Sequence, residues 1–232
     1  MLSRFIAMTG APHGERAWHP LSACRWPDIA LLGITVNLGW LVAAPIARPD
    51  LDLLEKALSY YTVGPWGVAQ SLAFVAMGVA SIALGAALSR SPPSSRWVVL
   101  VLSGLVVAGI ASLGLVVYPM GAPSPHTFMG DAHQTAGTVG GVAQLVAALA
   151  FVLAVHADHR WHRLYWPAII AFLVAVTGAA LTQVEIWWPE LSIPMGATSR
   201  LVVIPLVLLW GAVALRLRQR CLKPISQSAA AR

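Results

Sequence analysis

Six apolar runs, each about 20 residues long, constrain this chain more than any other feature. They cover residues 27–47, 65–88, 97–118, 132–155, 165–183 and 198–217. A run of that length and polarity matches the hydrocarbon thickness of a bilayer when it is helical. Between them lie short segments rich in Pro, Gly and charge, such as Ser89-Arg-Ser-Pro-Pro-Ser-Ser-Arg96. Of the 232 residues, 58% are hydrophobic and 10% charged. Soluble domains carry about 25% charged residues, and so short a soluble chain has no interior large enough for this much apolar surface. The expected fold is all-α: one polytopic membrane domain of six transmembrane helices over residues 27–218. A tail of residues 1–26 precedes it and a basic tail of residues 219–232 follows.

The charge distribution sets an expected orientation. Twelve basic residues flank the runs on one side: Arg4, Arg16, Arg25, Arg90, Arg96, Arg160, Arg163, Arg216, Arg218, Arg220, Lys223 and Arg232. Only Arg48, Lys56 and Arg200 lie on the other. Positive charge stays inside, so both tails are expected in the cytoplasm of a bacterium and the protein in its inner membrane. The net charge of +6 is then a topology signal, and nucleic acid is not an expected partner. In the first tail, Pro12, His13, Glu15 and Arg16 interrupt any apolar core, so no cleavable signal peptide is expected. Cys24 and Cys221 lack metal-ligand spacing and fall on the cytoplasmic side, and two free thiols are expected.

This orientation gathers the chemistry on the opposite face. Residues 48–64, 119–131 and 184–197 hold Asp50, Asp52, Glu55, Asp131, Glu185 and Glu190. The segment from Tyr118 to Gly137 carries no Lys or Arg, yet includes His126, Asp131 and His133. Asp131 and His133 are the pair expected to act as acid and base if the protein is an enzyme. With His126 and Glu185 they are also the only candidates for a metal set, though no spacing enforces one. His133, Gly137, Gly140 or Gly141, and Gln144 recur at spacings of three and four, which predicts a helix-packing seam. Glu185 and Arg200 stand at matching depth on adjacent runs, and either an ion pair between them or a shared contact with an anionic group such as a lipid headgroup is expected. Asn37 and Gln70 lie within apolar runs and are expected to hydrogen-bond between helices. No haem arrangement, phosphate loop or nucleophile elbow is present, so no cofactor is expected. Pro119-Met-Gly-Ala122 recurs as Pro194-Met-Gly-Ala197.

Several of these residues carry a resemblance. Leu58-Ser59-Tyr60-Tyr61-x-x-Gly64-Pro65-x-Gly67 stands ahead of the second run. Tyr118-Pro119 ends the third, Asp131 and His133 lead into the fourth, and Gly196-x-x-x-Arg200 opens the sixth. The pattern resembles the bacterial membrane family catalogued as domain of unknown function 998, distantly like the eukaryotic Frag1/DRAM/Sfk1 membrane proteins. The resemblance implies a six-span fold and special positions at Ser59, His133 and Arg200. Ser199 stands where that family often has an acid. It implies no reaction. The function expected is a lipid-associated membrane protein whose cleft, rimmed by Ser59, Tyr60, His126, Asp131, His133, Glu185 and Arg200, holds a lipid headgroup or isoprenoid. A membrane enzyme acting on a lipid-linked substrate and a small transporter are the alternatives. Membrane lipids are the expected partners, with a second copy of the chain or another membrane protein also open.

Overall fold

The computed structural model describes residues 24–120 and 127–222. His126 lies outside them, as do nearly all of the first tail and residues 223–232 of the last. Six long helices carry the described chain: α1 Arg25–Ala47, α2 Gly67–Leu88, α3 Val98–Val117, α4 Phe128–His156, α5 Tyr165–Trp187 and α6 Met195–Leu222. Each is long and apolar enough to cross a membrane. Three short 3₁₀ turns, Leu58–Thr62, His162–Leu164 and Pro189–Leu191, sit in the connections, and no strand occurs among the described residues. The fold is the all-α six-helix membrane type that the apolar runs predict.

Each helix packs on the next in chain order, and α6 closes the ring against α1. Lipid supplies no hydrophobic drive between helices, so close backbone approach does the work. Glycines at the crossings show how close it is. A Cβ on Gly33 of α1 would run into the Ala76 carbonyl of α2 and come within 2.9 Å of Ala80 Cβ. One on Gly104 of α3 would meet the Ala143 carbonyl of α4 at 2.8 Å, and one on Gly178 of α5 would meet the Thr198 carbonyl of α6 at 2.8 Å. The expected α4 seam is present. Gly137 and Gly140 lie against Leu115 and Ala111 of α3, with Ala136, Ala143 and Ala147 also at that interface, whereas a Cβ on Gly141 would meet nothing within 4 Å.

The buried apolar core occupies one half of the bundle. It takes Ala30 and Ile34 from the start of α1, Ala80 to Leu88 from the end of α2, and Val101 and Leu105 from the start of α3. It adds Ala147 to Val155 of α4, Ala168 to Ala175 of α5 and Leu206 to Leu217 of α6. That half ends in the arginine-rich connections. In the other half the interior turns polar: Tyr61, Gln70, His133 and Thr198 are buried there. Asn37 and Gln70 hydrogen-bond between helices as expected. Asn37 Nδ2 donates to the Ala73 carbonyl, and the Trp40 indole donates to Gln70 Oε1 at 2.7 Å. The α4–α5 interface is the smallest between consecutive helices, so α4 is more exposed toward its first turns than toward its last.

The two cysteines correct an expectation. Cys24 at the foot of α1 and Cys221 in the last turn of α6 form a disulfide, with Cα atoms 5.7 Å apart. Charge alone assigned both to a reducing side and so to free thiols. It could not show that the closing of the ring brings the two ends of the bundle together.

Candidate functional site

The acidic end is built on the α1–α2 connection. Arg48, just past α1, grips Asp50 with Nε and Nη2 at 2.8 and 2.7 Å, and its Nη1 donates to the Val63 carbonyl. The guanidinium holds the Asp50 carboxyl below the usual carboxylate range. It lies against Gly64, whose φ of +93° only glycine adopts readily. The loop is thus closed at both ends. Ser59 and Tyr60 lie half-buried in its 3₁₀ turn, with the Lys56 ammonium 5.4 Å from the Tyr60 ring centre. Tyr61 is fully buried.

Arg200 of α6 ties this loop to the bundle. Its Nη1 donates to the carbonyls of Gly196 at 2.8 Å and Lys56 at 3.1 Å, and its guanidinium lies 5.9 Å from the Tyr61 ring centre. The start of α6 sits under the loop. Ala197 N donates to the Leu54 carbonyl at 2.8 Å, and a Cβ on Gly196 would run into that same oxygen. Gly196 is therefore the position of the second Pro-Met-Gly-Ala sequence at which the close approach of the loop excludes a side chain. The expected ion pair between Glu185 and Arg200 does not form. Glu185 Oε2 accepts from the Ile193 amide at 2.6 Å, because the turn after α5 brings that donor back onto the end of its own helix. Arg200 is already engaged by the loop carbonyls.

Asp131 and His133, two residues apart near the start of α4, face different ways. Asp131 is exposed, while His133 is only 5% exposed. His133 Nδ1 lies 2.7 Å from the Tyr118 carbonyl, and its ring meets Phe74 edge-on at 6.5 Å. A carbonyl only accepts, so Nδ1 is the donor of that bond. Nε2 is buried and has no hydrogen-bond partner among the described residues. No three His, Cys, Asp or Glu side chains cluster as a metal set among the described residues.

Asp131 opens instead onto a groove. A cavity of about 630 Å³ runs between α3 and α4, lined by Val107, Ile110 and Gly114 on one wall and Ala132, Thr135 and Val139 on the other. From Val107 to Tyr118 the groove follows α3 for about 16 Å at the usual helical rise. Its walls are apolar, and Asp131 and Thr135 stand at its polar end. A second depression, about 380 Å³, continues from it around α4 over Asp131, Gln134, Thr135 and Thr138.

Residues 31–216 match the family model described as "Protein of unknown function (DUF998)". The chain belongs to that family. No curated protein and no solved structure matches it. Of the three positions that the family resemblance marks in this DUF998 chain, Ser59 and Arg200 lie in the same loop–helix junction. His133 is buried on α4 against Tyr118 and Phe74, and it shares no bonding partner with Arg200.

Sequence reasoning missed the most tightly bonded cluster of this family member, which lies at the arginine-rich end. Asp158, 6% exposed, accepts from the backbone amides of Ser94 and Arg160, each at 2.9 Å, and from Arg160 Nη2 at 2.7 Å. Arg160, with the two amides, holds that carboxyl far below the usual range. Arg160 also reaches Ser94 Oγ and the Pro92 carbonyl. Its own carbonyl accepts from Arg216 and Arg220 of α6. Arg220 covers the buried Trp161 ring at 4.2 Å, and Arg218 pairs with Asp28 of α1 at 2.8 Å. The arginines read as topology signals are thus also structural ties. The one available signal was a single acid, Asp158, among the bases of the α4–α5 turn.

Proposed function

We propose that this DUF998 protein binds a membrane amphiphile, a lipid or isoprenoid, in the groove between α3 and α4. The supporting observation is the groove itself: apolar walls along two spanning helices, with a carboxylate and a hydroxyl at one end. An acyl or prenyl chain is chemically matched to such walls, and polar groups placed at the mouth orient it. In this reading the arginine-rich end faces the cytoplasm of a bacterium, and the Cys24–Cys221 bond there is an exception to the reduced thiols usual in that compartment. The groove then opens toward the outer leaflet of the inner membrane. A distant kinship with the Frag1/DRAM/Sfk1 membrane proteins belongs to the same proposal.

The test is native mass spectrometry of protein extracted from its own membrane, alongside an Ile110→Trp variant that fills the groove. Ile110 is 60% exposed, so the fold tolerates the change. A co-purifying amphiphile on the parent protein that is lost from the variant supports the reading. Equal occupancy on both refutes it.

A second reading has one observation of its own. With Nδ1 donating to the Tyr118 carbonyl, His133 holds Nε2 buried and unpartnered, the atom through which an imidazole so oriented exchanges a proton with a substrate. As an enzyme, the protein would lose turnover of a lipid-linked substrate in His133→Ala while keeping the bound lipid. Loss of the lipid in that variant would count against catalysis.

A further inference from the structure

The use each arginine makes of its guanidinium singles out Arg200. In Arg48 and Arg160 the edge formed by Nε and Nη2 grips a carboxylate, Asp50 in the first and Asp158 in the second. Arg218 meets Asp28 through its Nε. In Arg200 the same edge meets no carboxylate among the described residues, and its hydrogen-bond partner there is the Tyr61 hydroxyl, 3.5 Å from Nη2. Other acids at this end are engaged elsewhere. Arg48 holds Asp50, the Leu54 and Glu55 amides hold Asp52, and the Ile193 amide holds Glu185. We propose that the Nε–Nη2 edge of Arg200 binds the phosphodiester of a glycerophospholipid in the leaflet that the acidic end faces. This lipid site is separate from the α3–α4 groove and does not rest on it.

The fork is fixed in advance. Nη1 is spent on the Gly196 and Lys56 carbonyls, and the Tyr61 ring lies beside the guanidinium. A fork so held loses little side-chain freedom when an anion arrives. Its edge matches the two unesterified oxygens of a phosphodiester as it matches a carboxylate. The depth also fits. Arg200 stands five residues into α6, about 8 Å from the start of the helix, but its side chain reaches back one turn to the Gly196 carbonyl. That places the charge near the first residues of α6. The neighbouring end of α5 carries the exposed Trp187 and Trp188, side chains that favour the headgroup layer.

The helix below Arg200 specifies a lipid over a free anion. Ile204, Leu208 and Leu215 follow it on one side of α6, and they are 39%, 55% and 48% exposed. From Ile204 to Leu215 this stripe runs about 16 Å, close to the hydrocarbon depth of one leaflet. A phosphodiester seated on Arg200 has its acyl chain along the stripe. Inorganic phosphate gains nothing from it.

The experiment uses delipidated full-length protein in a neutral detergent. The probe is a phosphatidylglycerol with a photoreactive diazirine in its acyl chain beside the glycerol, and peptide mass spectrometry maps the adducts. We expect adducts on residues 196–208. The matching diacylglycerol probe, which lacks the phosphate, should label that segment about tenfold less, the effect of one charge-assisted hydrogen bond. Arg200→Gln would also release the loop, so the variant used is Arg200→Lys, checked for folding by size exclusion. It keeps a charge and donors for the carbonyls but has no planar fork, and labelling should again fall about tenfold. Ile110→Trp, which fills the groove, should label residues 196–208 as the parent does. Adducts confined to the arginine-rich end, or equal labelling by the two probes, would overturn the proposal. Displacement of the probe by millimolar inorganic phosphate would show a free-anion site and overturn the lipid assignment. If Ile110→Trp abolishes the adducts, the lipid belongs to the groove: this inference then fails while the groove reading stands.

Discussion

Replacing Asp158 by asparagine is the sharpest test of how the arginine-rich end is held. The carboxylate accepts two backbone amides, Ser94 and Arg160, on different oxygens, and the Arg160 guanidinium on both. A carboxamide has one oxygen, so Asp158→Asn leaves one of those two amides facing an NH₂ group. A stranded buried donor costs about 1–3 kcal/mol. Arg160 loses its charged partner too, but its side chain is 56% exposed and water takes over that role. The stranded amide therefore sets the scale. At about 2–4 °C per kcal/mol for a chain of this size, the apparent melting temperature should fall by roughly 2–12 °C. The assay is size-exclusion of heated, detergent-solubilised protein. The pH dependence has a defined direction. The Asp158 pKa is depressed from 3.8, so its stabilisation is fully present above that unfolded value. It is lost only as pH falls through the still lower folded one. The difference between parent and variant should therefore be flat from about pH 5 to 8. A drop under about 1 °C, or a difference that changes across that window, would refute the account.

Other outcomes follow from the packing and the disulfide. Gly33→Ala drives a methyl into the Ala76 carbonyl and should destabilise by about 1–3 kcal/mol; Gly39→Ala, inside the same helix with nothing within 4 Å, should not lower the melt and should stabilise by up to about 1 kcal/mol. In membranes prepared with a thiol-blocking reagent, a maleimide–polyethylene glycol gel shift should add no label before reduction and two labels after it, one each at Cys24 and Cys221.

The fold was legible because lipid leaves the sequence few options: 20 apolar residues with polar ends must be a helix. Asn37 and Gln70 were legible for the same reason, since a carboxamide in hydrocarbon has to find a partner. What stayed hidden depended on which non-neighbouring segments meet. The α6–α1 closure decides the Cys24–Cys221 bond and the Asp28–Arg218 pair, and nothing local encodes it. Glu185 and Arg200 lie on adjacent helices, but the Thr182–Thr198 hydrogen bond sets the register of those helices so that the two are not level, and each bonds a backbone group instead. The rotation of α4 was half legible. Its small-residue spacing promised a seam, but Gly140 and Gly141 are adjacent, and only the position of α3 decides that Gly140 is covered and Gly141 open.

The two halves of the bundle differ in kind, and this bears on where binding can occur. At the arginine-rich end, the α2–α3 turn, the α4–α5 turn and the feet of α1 and α6 are joined by Asp158, Arg160, Arg216, Arg218, Arg220 and the disulfide. The whole apolar core lies beneath them. Opening that end means breaking several ties together and exposing packed Phe151, Trp161 and Trp210. At the other end, Arg48 and Arg200 fasten one loop over α6, but the start of α4 carries exposed polar residues and the α3–α4 groove is open to the side. Free energy of ligand binding is spent most economically where little native packing must be given up. The proposed lipid site in the acidic half is the placement that this asymmetry favours, independently of which headgroup is bound.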